Sequence, residues 1–391
     1  MYTLLSHTDL DGVGCGVLAK LTFKEDVRVR YHSVGSINMH VEAFLEKADQ
    51  NTMLLITDLS VNTENERRLE AYYQSGGKVK LLDHHKTSLH LHAYEWATVV
   101  VADEEKRNTS ATSLFYQYLL DHQLLKETEA ITEFVELVRQ YDTWEWEENA
   151  NFEAARLNSL FYLVSIDEFE EKMVERLRTQ DHFAFDMFES KLLDMEDQKI
   201  ERYIRRKRRE LVQKKVKSNF AGIIHAESYH SEVGNRLGKE YPHLDYIVIV
   251  NMGARRAGFR TVHDRIDVAE IAARFGGGGH VKAAGCRLTE AAFKEFVVEA
   301  FHLDPLHEDA QRNRFNVKKA SFGTLYLTRE EGELFLSLSE DGTWKIEQNH
   351  RVLKDRFDSF EAGESYMKRH FGAWLASDDI YVQYLQAALK R

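Results

Sequence analysis

Short apolar runs alternate with amphipathic stretches over the first 125 residues, a pattern that predicts strands alternating with helices. The strands are expected at Tyr2–Ser6, Val27–His32, Met53–Thr57, Val79–Leu82 and Thr98–Ala102. The helices are expected at Gly14–Leu21, Ile37–Ala48, Glu64–Ser75 and Ser110–Leu120. Thr63 and Thr109 are the expected N-caps, since their hydroxyls can accept from free amides at a helix start. Strands separated by helices favour an α/β fold with a mostly parallel sheet flanked by helices.

The pattern changes twice beyond residue 127. Residues 127–217 have a helical pattern, and residues 219–303 return to alternation as a second, smaller α/β unit. In that unit the expected elements are strands Ala221–His225, Tyr246–Asn251 and Gly258–Thr261, and helix Val268–Phe275. A third segment after Pro305 has an α+β pattern, with strands Gly323–Thr328 and Glu333–Ser339 and helices Ala362–His370 and Asp379–Lys390.

These changes predict four parts of the chain. They are an N-terminal α/β domain at 1–190, a basic helical linker at 191–218, a smaller α/β domain at 219–304 and a C-terminal α+β segment at 312–391. The role of the last segment is open. Its expected effect is to shape the path of the substrate or a contact between subunits.

Composition and charge narrow the class of protein. With 391 residues, 43% of them hydrophobic and 30% charged, the chain has the composition of a globular protein. No apolar run reaches the length of a membrane span and no signal peptide is evident, so no membrane contact is expected. Cys15 and Cys286 give no disulfide framework, which fits the cytoplasm.

The formal net charge of −12 argues against general affinity for long nucleic acids but not against a short anionic substrate. The charge is uneven, because residues 199–217 contain ten Lys or Arg and two Glu. This run is either a solvated helical face or a basic wall that attracts phosphates, and the two interpretations are compatible.

Acidic and imidazole side chains follow three of the predicted strands: His7, Asp9 and Asp11 after the first, Asp58 after the third, and Asp83, His84 and His85 after the fourth. Alternate residues of an extended chain point the same way, and parallel strands end at the same sheet edge. Carboxylates crowded in this way repel one another unless a cation lies between them. The pattern therefore predicts a divalent metal site.

Two further features have alternative interpretations at this point. Asp142, an acid among aromatic residues, either returns to the metal site or lies on the surface at a helix end. The four glycines of residues 276–279, followed by His280, form either a flexible loop or a backbone whose amides surround an anionic group.

The motifs together resemble the DHH phosphoesterase superfamily. The first to fourth motifs are matched by His7-x-Asp9-x-Asp11, Asp58, Asp83-His84-His85 and Asp142, and the GGGH signature of the DHHA1 domain by Gly276–His280 with Ala283–Gly285. The matches cover roughly the first 300 residues in the expected order. The HTDLDG opening, the Tyr-Asp-Thr-Trp motif and the C-terminal segment most resemble NrnB-type oligoribonucleases, or nanoRNases. By this resemblance, 1–190 would be the catalytic DHH domain and 219–304 the substrate-binding DHHA1 domain.

The resemblance implies two Mn²⁺ ions, with Mg²⁺ or Co²⁺ as substitutes. One ion would be held by His7, Asp9 and Asp58, and the other by Asp11, Asp58, His84 and Asp142. Asp58, Asp83 and His85 would be catalytic, with Asp83 orienting an imidazole and His85 assisting at the phosphate or the leaving oxygen. Substrate phosphate would be bound by Arg260, the amides of Gly277, Gly278 and Gly279, and His280. For Arg260 the alternative is an exposed strand residue in a salt bridge.

The implied enzyme is a metal-dependent exonuclease that degrades short single-stranded RNA to nucleoside 5′-monophosphates through a metal-activated bridging water. The alternative enzymes are a phosphatase for 3′-phosphoadenosine 5′-phosphate and a phosphodiesterase for linear or cyclic dinucleotides. A nucleotide-binding regulator without catalysis and a DNA-directed repair exonuclease are the remaining hypotheses. Homodimers are common among similar proteins, so the oligomeric state stays open.

Overall fold

The structure, a computed structural model, describes residues 1–47, 51–330 and 332–389. The chain divides into two units, unit 1 at Met1–Glu196 and unit 2 at Asp197–Arg391. Among the described residues, no helix combines the length and the apolar composition needed to cross a membrane.

Unit 1 contains a sheet of five parallel strands. The strands are β1 (Tyr2–His7), β2 (Val27–His32), β3 (Met53–Thr57), β4 (Val79–Asp83) and β5 (Ala97–Val99). Their order in the sheet is β2-β1-β3-β4-β5. The strands β1, β3 and β4 are therefore adjacent, and their carboxyl ends lie at one edge. This edge is where ligands bind in open parallel sheets.

Helices cover both faces of this sheet. They are α1 (Leu10–Phe23), α2 (Ile37–Leu45), α3 (Thr63–Gln74), α4 (Ala111–Asp121), α5 (Glu129–Asp142), α6 (Glu145–Glu148), α7 (Phe152–Leu163), α8 (Ile166–Thr179) and α9 (Met187–Arg208), which continues into unit 2. One buried cluster joins α1, α4, α5, α7 and α8 to the sheet, and another joins α2 and α3. These two cores hold the carboxyl edge in place from both sides.

The predicted elements of unit 1 are observed with shifts at their ends. The fifth strand occupies Ala97–Val99 instead of Thr98–Ala102. The predicted N-caps were wrong by one residue: Asn62 accepts from Asn65 N at α3, and Ser110 accepts from Ser113 N at α4. The predicted end of the second helix, Ala48, lies outside the described residues.

The first sheet of unit 2 has six strands in the order β10-β11-β9-β8-β7-β6. They are β6 (Val212–Val216), β7 (Asn219–His225), β8 (Tyr246–Asn251), β9 (Arg256–Arg260), β10 (Gly278–Gly279) and β11 (Ala283–Arg287), with helices α10 (His230–Glu240), α11 (Val268–Ala273) and α12 (Glu290–Phe293). The pair β7 and β8 is parallel and the others are antiparallel. The prediction of a helix through residue 217 was wrong, because residues 212–216 pair with β7 as an edge strand.

The second sheet of unit 2 is antiparallel, in the order β15-β14-β13-β12-β16. It contains β12 (Thr324–Leu327), β13 (Glu333–Leu338), β14 (Trp344–Gln348), β15 (Arg351–Phe357) and β16 (Trp374–Leu375), with helices α13 (Phe360–Phe371) and α14 (Asp378–Leu389). The α+β character predicted for this segment is observed. The predicted end of the last helix, Lys390, lies outside the described residues.

Candidate active site

The loop between β1 and α1 places the first three candidate ligands. Asp9 is the N-cap of α1, and its Oδ1 accepts from the Gly12 amide at 3.0 Å. A Cβ on Gly12 would lie 2.4 Å from the carbonyl oxygen of His7, so glycine is needed for α1 to start this close to β1. The carboxylates of Asp9 and Asp11 are thereby held directly beyond the strand that ends in His7.

A second helix fixes Asp11. Its carboxylate is buried and accepts from the amides of Ala111 at 2.7 Å and Thr112 at 2.9 Å. These amides belong to the first turn of α4, where backbone N–H groups lack helical partners and favour negative charge. A contact between residues 100 positions apart therefore holds a carboxylate at the sheet edge.

Asp58 has an unusual backbone. It follows β3 with φ of 58°, in the left-handed region that few residues other than glycine adopt, and it is buried. Conformations of this kind cost free energy and occur most often at functional sites. Here the conformation places the carboxylate between the side chains that follow β1 and β4.

The candidate ligands form two groups around Asp58. His7 Nδ1 lies 2.6 Å from Asp9 Oδ2 and 3.6 Å from Asp58 Oδ2. His84 Nε2 lies 3.5 Å from Asp58 Oδ1, 3.5 Å from Asp142 Oδ2 and 3.8 Å from Asp11 Oδ2. The structure thus brings all six predicted ligands together, including Asp142 at the end of α5, whose side chain is 26% exposed.

The mutual proximity of these groups shifts their pKa values. The carboxylates of Asp58 and Asp9 raise the pKa of His7 to about 10. Burial raises the pKa of Asp58 to about 7, and the charges of Asp9 and Asp11 act in the same direction. Burial, followed by the charge of Asp11, raises the pKa of Asp142 well above its usual range. The protein alone therefore stabilises Asp58 and Asp142 poorly as anions, and a cation would remove that cost.

Two buried atoms support a metal site. Among the described residues, Asp58 Oδ2 and His84 Nε2 have no hydrogen-bond partner. Two ligands of one Mg²⁺ ion, each about 2.1 Å from it, lie no more than about 4.2 Å apart. The separations of 3.5–3.8 Å around His84 Nε2 are too long for good hydrogen bonds and fall within that limit. The ligand atoms of His7, Asp9 and Asp58, and those of Asp11, His84 and Asp142, form groups that could each hold an ion.

Asp83 and His85 form a hydrogen-bonded pair beside these groups. Asp83 Oδ1 lies 2.7 Å from His85 Nδ1 and also accepts from the His84 amide at 2.8 Å. Burial lowers the pKa of His85, but the Asp83 carboxylate outweighs it and leaves that pKa raised. Asp83 is fully buried, whereas the side chain of His85 is 37% exposed. This geometry is that of a carboxylate orienting an imidazole toward solvent.

The predicted phosphate-binding residues belong to unit 2. The guanidinium of Arg260, on β9, donates to Phe259 O at 3.0 Å and to Ser231 Oγ at 3.2 Å, in the first turn of α10. The glycines form an ordered hairpin instead of an open loop, with Gly278 and Gly279 pairing with β11 and His280 exposed at the turn. Gly279 has φ of 143°, which only glycine adopts readily.

One of the predicted phosphate-binding amides is already engaged. The Gly277 amide donates to Ala272 O at 2.9 Å, as part of the end of α11. Phosphate binding by Arg260, by the amides of Gly277, Gly278 and Gly279, and by His280 stays a prediction.

A cavity that no sequence motif indicated lies beside the candidate metal ligands. It has a volume of about 190 Å³, and the side chains of Tyr141, Asn158 and Tyr162 line it together with those of Asp9, Asp11 and Asp142. Two features of the sequence could have indicated this cavity. Tyr141 is next to Asp142, and Asn158 and Tyr162 are four residues apart on one helix.

The parallel sheet with this strand-end cluster, followed by an α/β unit with a glycine-rich hairpin, defines the class of protein: a phosphoesterase of the DHH/DHHA1 superfamily. The model of the oligoribonuclease NrnB C-terminal domain matches residues 323–391. Oligoribonuclease NrnB of Bacillus subtilis (strain 168) is 54% identical over 393 residues, covering 100% of this chain and 98% of that protein. The chain belongs to the NrnB family.

Two more distant proteins are also similar. A 3′,5′-cyclic-nucleotide phosphodiesterase of Helicobacter pylori (strain ATCC 700392 / 26695) is 25% identical over 155 residues, covering 36% of this chain and 43% of that protein. The structure of RecJ from Thermus thermophilus in complex with Mn²⁺ has 15% identity and a TM-score of 0.46, covering 91% of this chain and 62% of that one.

Proposed function

We propose that this chain is a metal-dependent exonuclease that hydrolyses short single-stranded RNA to nucleoside 5′-monophosphates. The observation that carries the proposal is the convergence of three imidazoles and five carboxylates at the ends of β1, β3 and β4 and of α5. The identity of 54% to an oligoribonuclease over the whole chain supports the class of substrate.

The donor set fits two divalent ions. His7, Asp9 and Asp58 would hold one, and Asp11, His84 and Asp142, with Asp58 shared, would hold the other. Ions held by these residues would lower the pKa of a bound water and would offset the charge of the attacked phosphoryl group. Oxygen-rich sites with added imidazoles suit Mn²⁺, with Mg²⁺ or Co²⁺ as substitutes.

His85 and Asp83 would act at the leaving group. Asp83 holds Nδ1 of His85, so Nε2 is the nitrogen that can face the substrate. Because the pKa of His85 is raised, the imidazolium can donate a hydrogen bond or a proton as the bond between phosphorus and the 3′ oxygen breaks. The phosphate stays on the 5′ oxygen of the released nucleotide, and the other product keeps a 3′ hydroxyl.

Unit 2 carries its own candidate groups for binding phosphate. A guanidinium such as that of Arg260 matches the geometry of phosphate oxygens, and its partner Ser231 lies in the first turn of a helix, where anions are favoured. Gly278, Gly279 and His280 are exposed on the hairpin and are proposed to bind phosphate as well.

Competition among substrates tests the proposal. Mn²⁺-loaded protein is incubated with equimolar diribonucleotide, five-nucleotide RNA, cyclic dinucleotide and 3′-phosphoadenosine 5′-phosphate, beside an Asp58→Asn control. We expect the linear RNAs to disappear first, as nucleoside 5′-monophosphates, and the control to be inactive. Faster loss of either of the other compounds would assign the site to that alternative substrate, and binding without turnover would indicate a regulator.

A further inference from the structure

Two chemically different sets of side chains line the cavity beside the candidate metal ligands. One set is the carboxylates of Asp9, Asp11 and Asp142. The other set includes Tyr141, Asn158 and Tyr162, and Tyr162 is 70% exposed. The cavity lies entirely within unit 1.

Helical spacing directs these groups into the cavity. Tyr141 and Asp142 are three and four residues beyond Val138 on α5, so one face of this helix carries both an aromatic ring and a metal ligand. Asn158 and Tyr162 are four residues apart on α7 and share a face in the same way. A ligand in the cavity would therefore contact the metal ligands and the aromatic groups together.

The lining combines apolar, aromatic and amide groups. Val138 and Leu10 are buried and contribute apolar side chains to the lining. Asn158 is only 7% exposed, and its Nδ2 donates to the hydroxyl of Tyr141 at 2.7 Å. This hydrogen bond fixes the amide and the phenol with respect to each other, so they can meet the polar edge of a flat ring in a fixed arrangement.

Size and charge limit what the cavity can hold. A volume of 190 Å³ is equivalent to about six water molecules at about 30 Å³ each, which is enough for one ring system. No lysine or arginine lines the cavity among the described residues, so its lining offers no positive charge for a second phosphate. A neutral, planar group fits both conditions.

We propose that this cavity binds the nucleobase of the nucleotide whose phosphate lies at the metal ligands, with Tyr162 as the stacking surface and Asn158 and Tyr141 at the polar edge of the base. The inference rests on the proposed function, because it assumes a nucleotide substrate. Stacking on an aromatic ring accepts every base, which suits an enzyme that degrades RNA of any sequence.

Binding of two small ligands tests this assignment. Adenosine 5′-monophosphate and ribose 5-phosphate differ by the base alone, and each is titrated calorimetrically into the Mn²⁺-loaded full chain. We expect the base to increase affinity at least 10-fold in the unmodified chain. Tyr162→Ala should remove most of that difference while leaving ribose 5-phosphate unchanged, and Tyr162→Phe, which keeps the ring, should retain it.

Phe152 provides a matched control. It is an aromatic residue on the same helix, is 61% exposed, and contacts Trp146 at 5.9 Å between ring centroids. Phe152→Ala should leave the affinity for both ligands unchanged. Equal losses in Phe152→Ala and Tyr162→Ala, or equal losses of both ligands in Tyr162→Ala, would overturn the proposal.

Turnover separates this inference from the proposed function. In Tyr162→Ala we expect kcat/KM for a diribonucleotide to fall at least 10-fold, whereas in Phe152→Ala it should stay as in the unmodified chain. If the unmodified chain cleaves no diribonucleotide but still binds adenosine 5′-monophosphate through Tyr162, the proposed function fails and the base cavity stands. If the base adds no affinity in the unmodified chain, the cavity assignment fails even where RNA is cleaved.

Discussion

Asp58 is subject to three constraints at once. Its backbone is left-handed, its side chain is buried, and its two carboxylate oxygens face His7 on one side and His84 on the other. A substitution at this position is therefore expected to change the proposed metal site and the stability of the fold by separate mechanisms.

The variant Asp58→Asn separates these mechanisms. Asparagine tolerates the left-handed region, so the backbone is retained, whereas loss of the charge removes one ligand common to both groups. We expect the metal-free protein to gain thermal stability, because a buried carboxylate next to Asp9 and Asp11 is removed. We also expect RNA cleavage to fall at least 1,000-fold, as about 4 kcal/mol of transition-state stabilisation would produce.

Thermal unfolding without metal measures the gain in stability. The same measurement with MnCl₂ shows whether the protein binds the ion. The melting temperature of the unmodified protein should rise on addition of Mn²⁺, and that of the variant should rise much less. An unchanged Mn²⁺-induced shift in the variant would show that Asp58 does not hold the ion.

Gly12 offers a second prediction for a single residue. A methyl group at this position would lie 2.4 Å from His7 O and 2.6 Å from His7 N, so Gly12→Ala must displace α1 from β1. We expect a loss of about 2 kcal/mol in the free energy of unfolding and a loss of cleavage activity, since Asp9 and Asp11 move with the helix. Chemical denaturation and a cleavage assay measure both.

Gly35→Ala is the matched control for Gly12→Ala. A Cβ on Gly35 would meet only Ser33 Oγ, at 3.8 Å. Stability and activity should stay close to those of the unmodified protein, and a loss as large as that of Gly12→Ala would contradict the steric explanation.

Some residues of the candidate site could be predicted from the sequence and others could not. The strand-end pattern predicted that His7, Asp9, Asp11 and Asp58 converge with the Asp83-His84-His85 segment, and the resemblance supplied the choice of His84 as a ligand. The amides that hold Asp11 come from residues 111 and 112, and no local pattern reports that contact. The cavity lined by Asn158 and Tyr162 was missed for the same reason, since it forms only when α5 and α7 pack beside α1.

At the level of secondary-structure elements, the buried strands of unit 1 were predictable and the edge strands of unit 2 were not. Apolar runs such as Met53–Thr57 are buried by helices on both faces, so their pattern is unambiguous. In contrast, β6 contains Lys214 and Lys215 and follows a basic helix, so its sequence does not resemble that of a strand. It is a strand because it pairs with β7. The strand β10 consists of two glycines and has no side-chain pattern at all.

The connection between β6 and α13 predicts a dependence of stability on pH. His243 is buried, its Nε2 lies 3.0 Å from Gln213 Oε1, and Arg369 Nε donates to its carbonyl oxygen at 2.7 Å. Burial, with the charges of Lys368 and Arg369, lowers the pKa of His243 to about 3. The imidazole is therefore neutral in the folded protein at neutral pH.

The sign of this pH dependence follows from the protons that the folded and unfolded chains bind. Below pH 6.5 the unfolded chain binds a proton at His243 and the folded chain does not until about pH 3, so acid favours unfolding. Between pH 6.5 and pH 4.5 we expect this group to lower the free energy of unfolding by about 2 kcal/mol. Hydrogen exchange in β6 and β7, corrected for intrinsic rates, measures this fall in the free energy of unfolding. The His243→Gln variant should lose less stability over the same pH range. An identical pH dependence in the two proteins would contradict the assignment.

At the scale of the whole molecule, a buried carboxylate joins the two sheets of unit 2. Asp245 accepts from the Phe220 amide at 2.8 Å and from Arg369 Nη2, on α13, at 2.6 Å. Arg265 also donates to it, at 2.8 Å. The C-terminal segment is thus attached to the first sheet of unit 2 by hydrogen bonds to charged groups as well as by packing.

Replacement of Asp245 by asparagine tests that connection. We expect Asp245→Asn to lower the free energy of unfolding of unit 2 by about 3 kcal/mol, because Arg369 loses its carboxylate at a buried position. Asp264→Asn, in the exposed pair with Lys282, should cause little change. Urea denaturation of the two variants gives the comparison, and equal effects would show that burial of Asp245 does not matter.

The net charge of the whole chain predicts a weak dependence of catalysis on salt. With a formal net charge of −12 and a substrate of one or two phosphates, few counterions are released on binding. Between 50 and 200 mM KCl, KM for a diribonucleotide should rise by less than about 10-fold, against roughly 1,000-fold or more for a protein contacting six to ten phosphates. A steeper dependence would favour a long nucleic acid as the substrate.

The left-handed backbone at Asp58 also has an evolutionary consequence. Aspartate and asparagine codons differ by a single base, and both residues tolerate this conformation, so folding exerts little selection against the exchange. Only selection for hydrolysis would keep aspartate in place. A natural relative with asparagine at this position and the remaining motifs intact would differ from an enzyme by one mutation. Such a relative would be a candidate for a protein that binds RNA as a sensor without hydrolysing it.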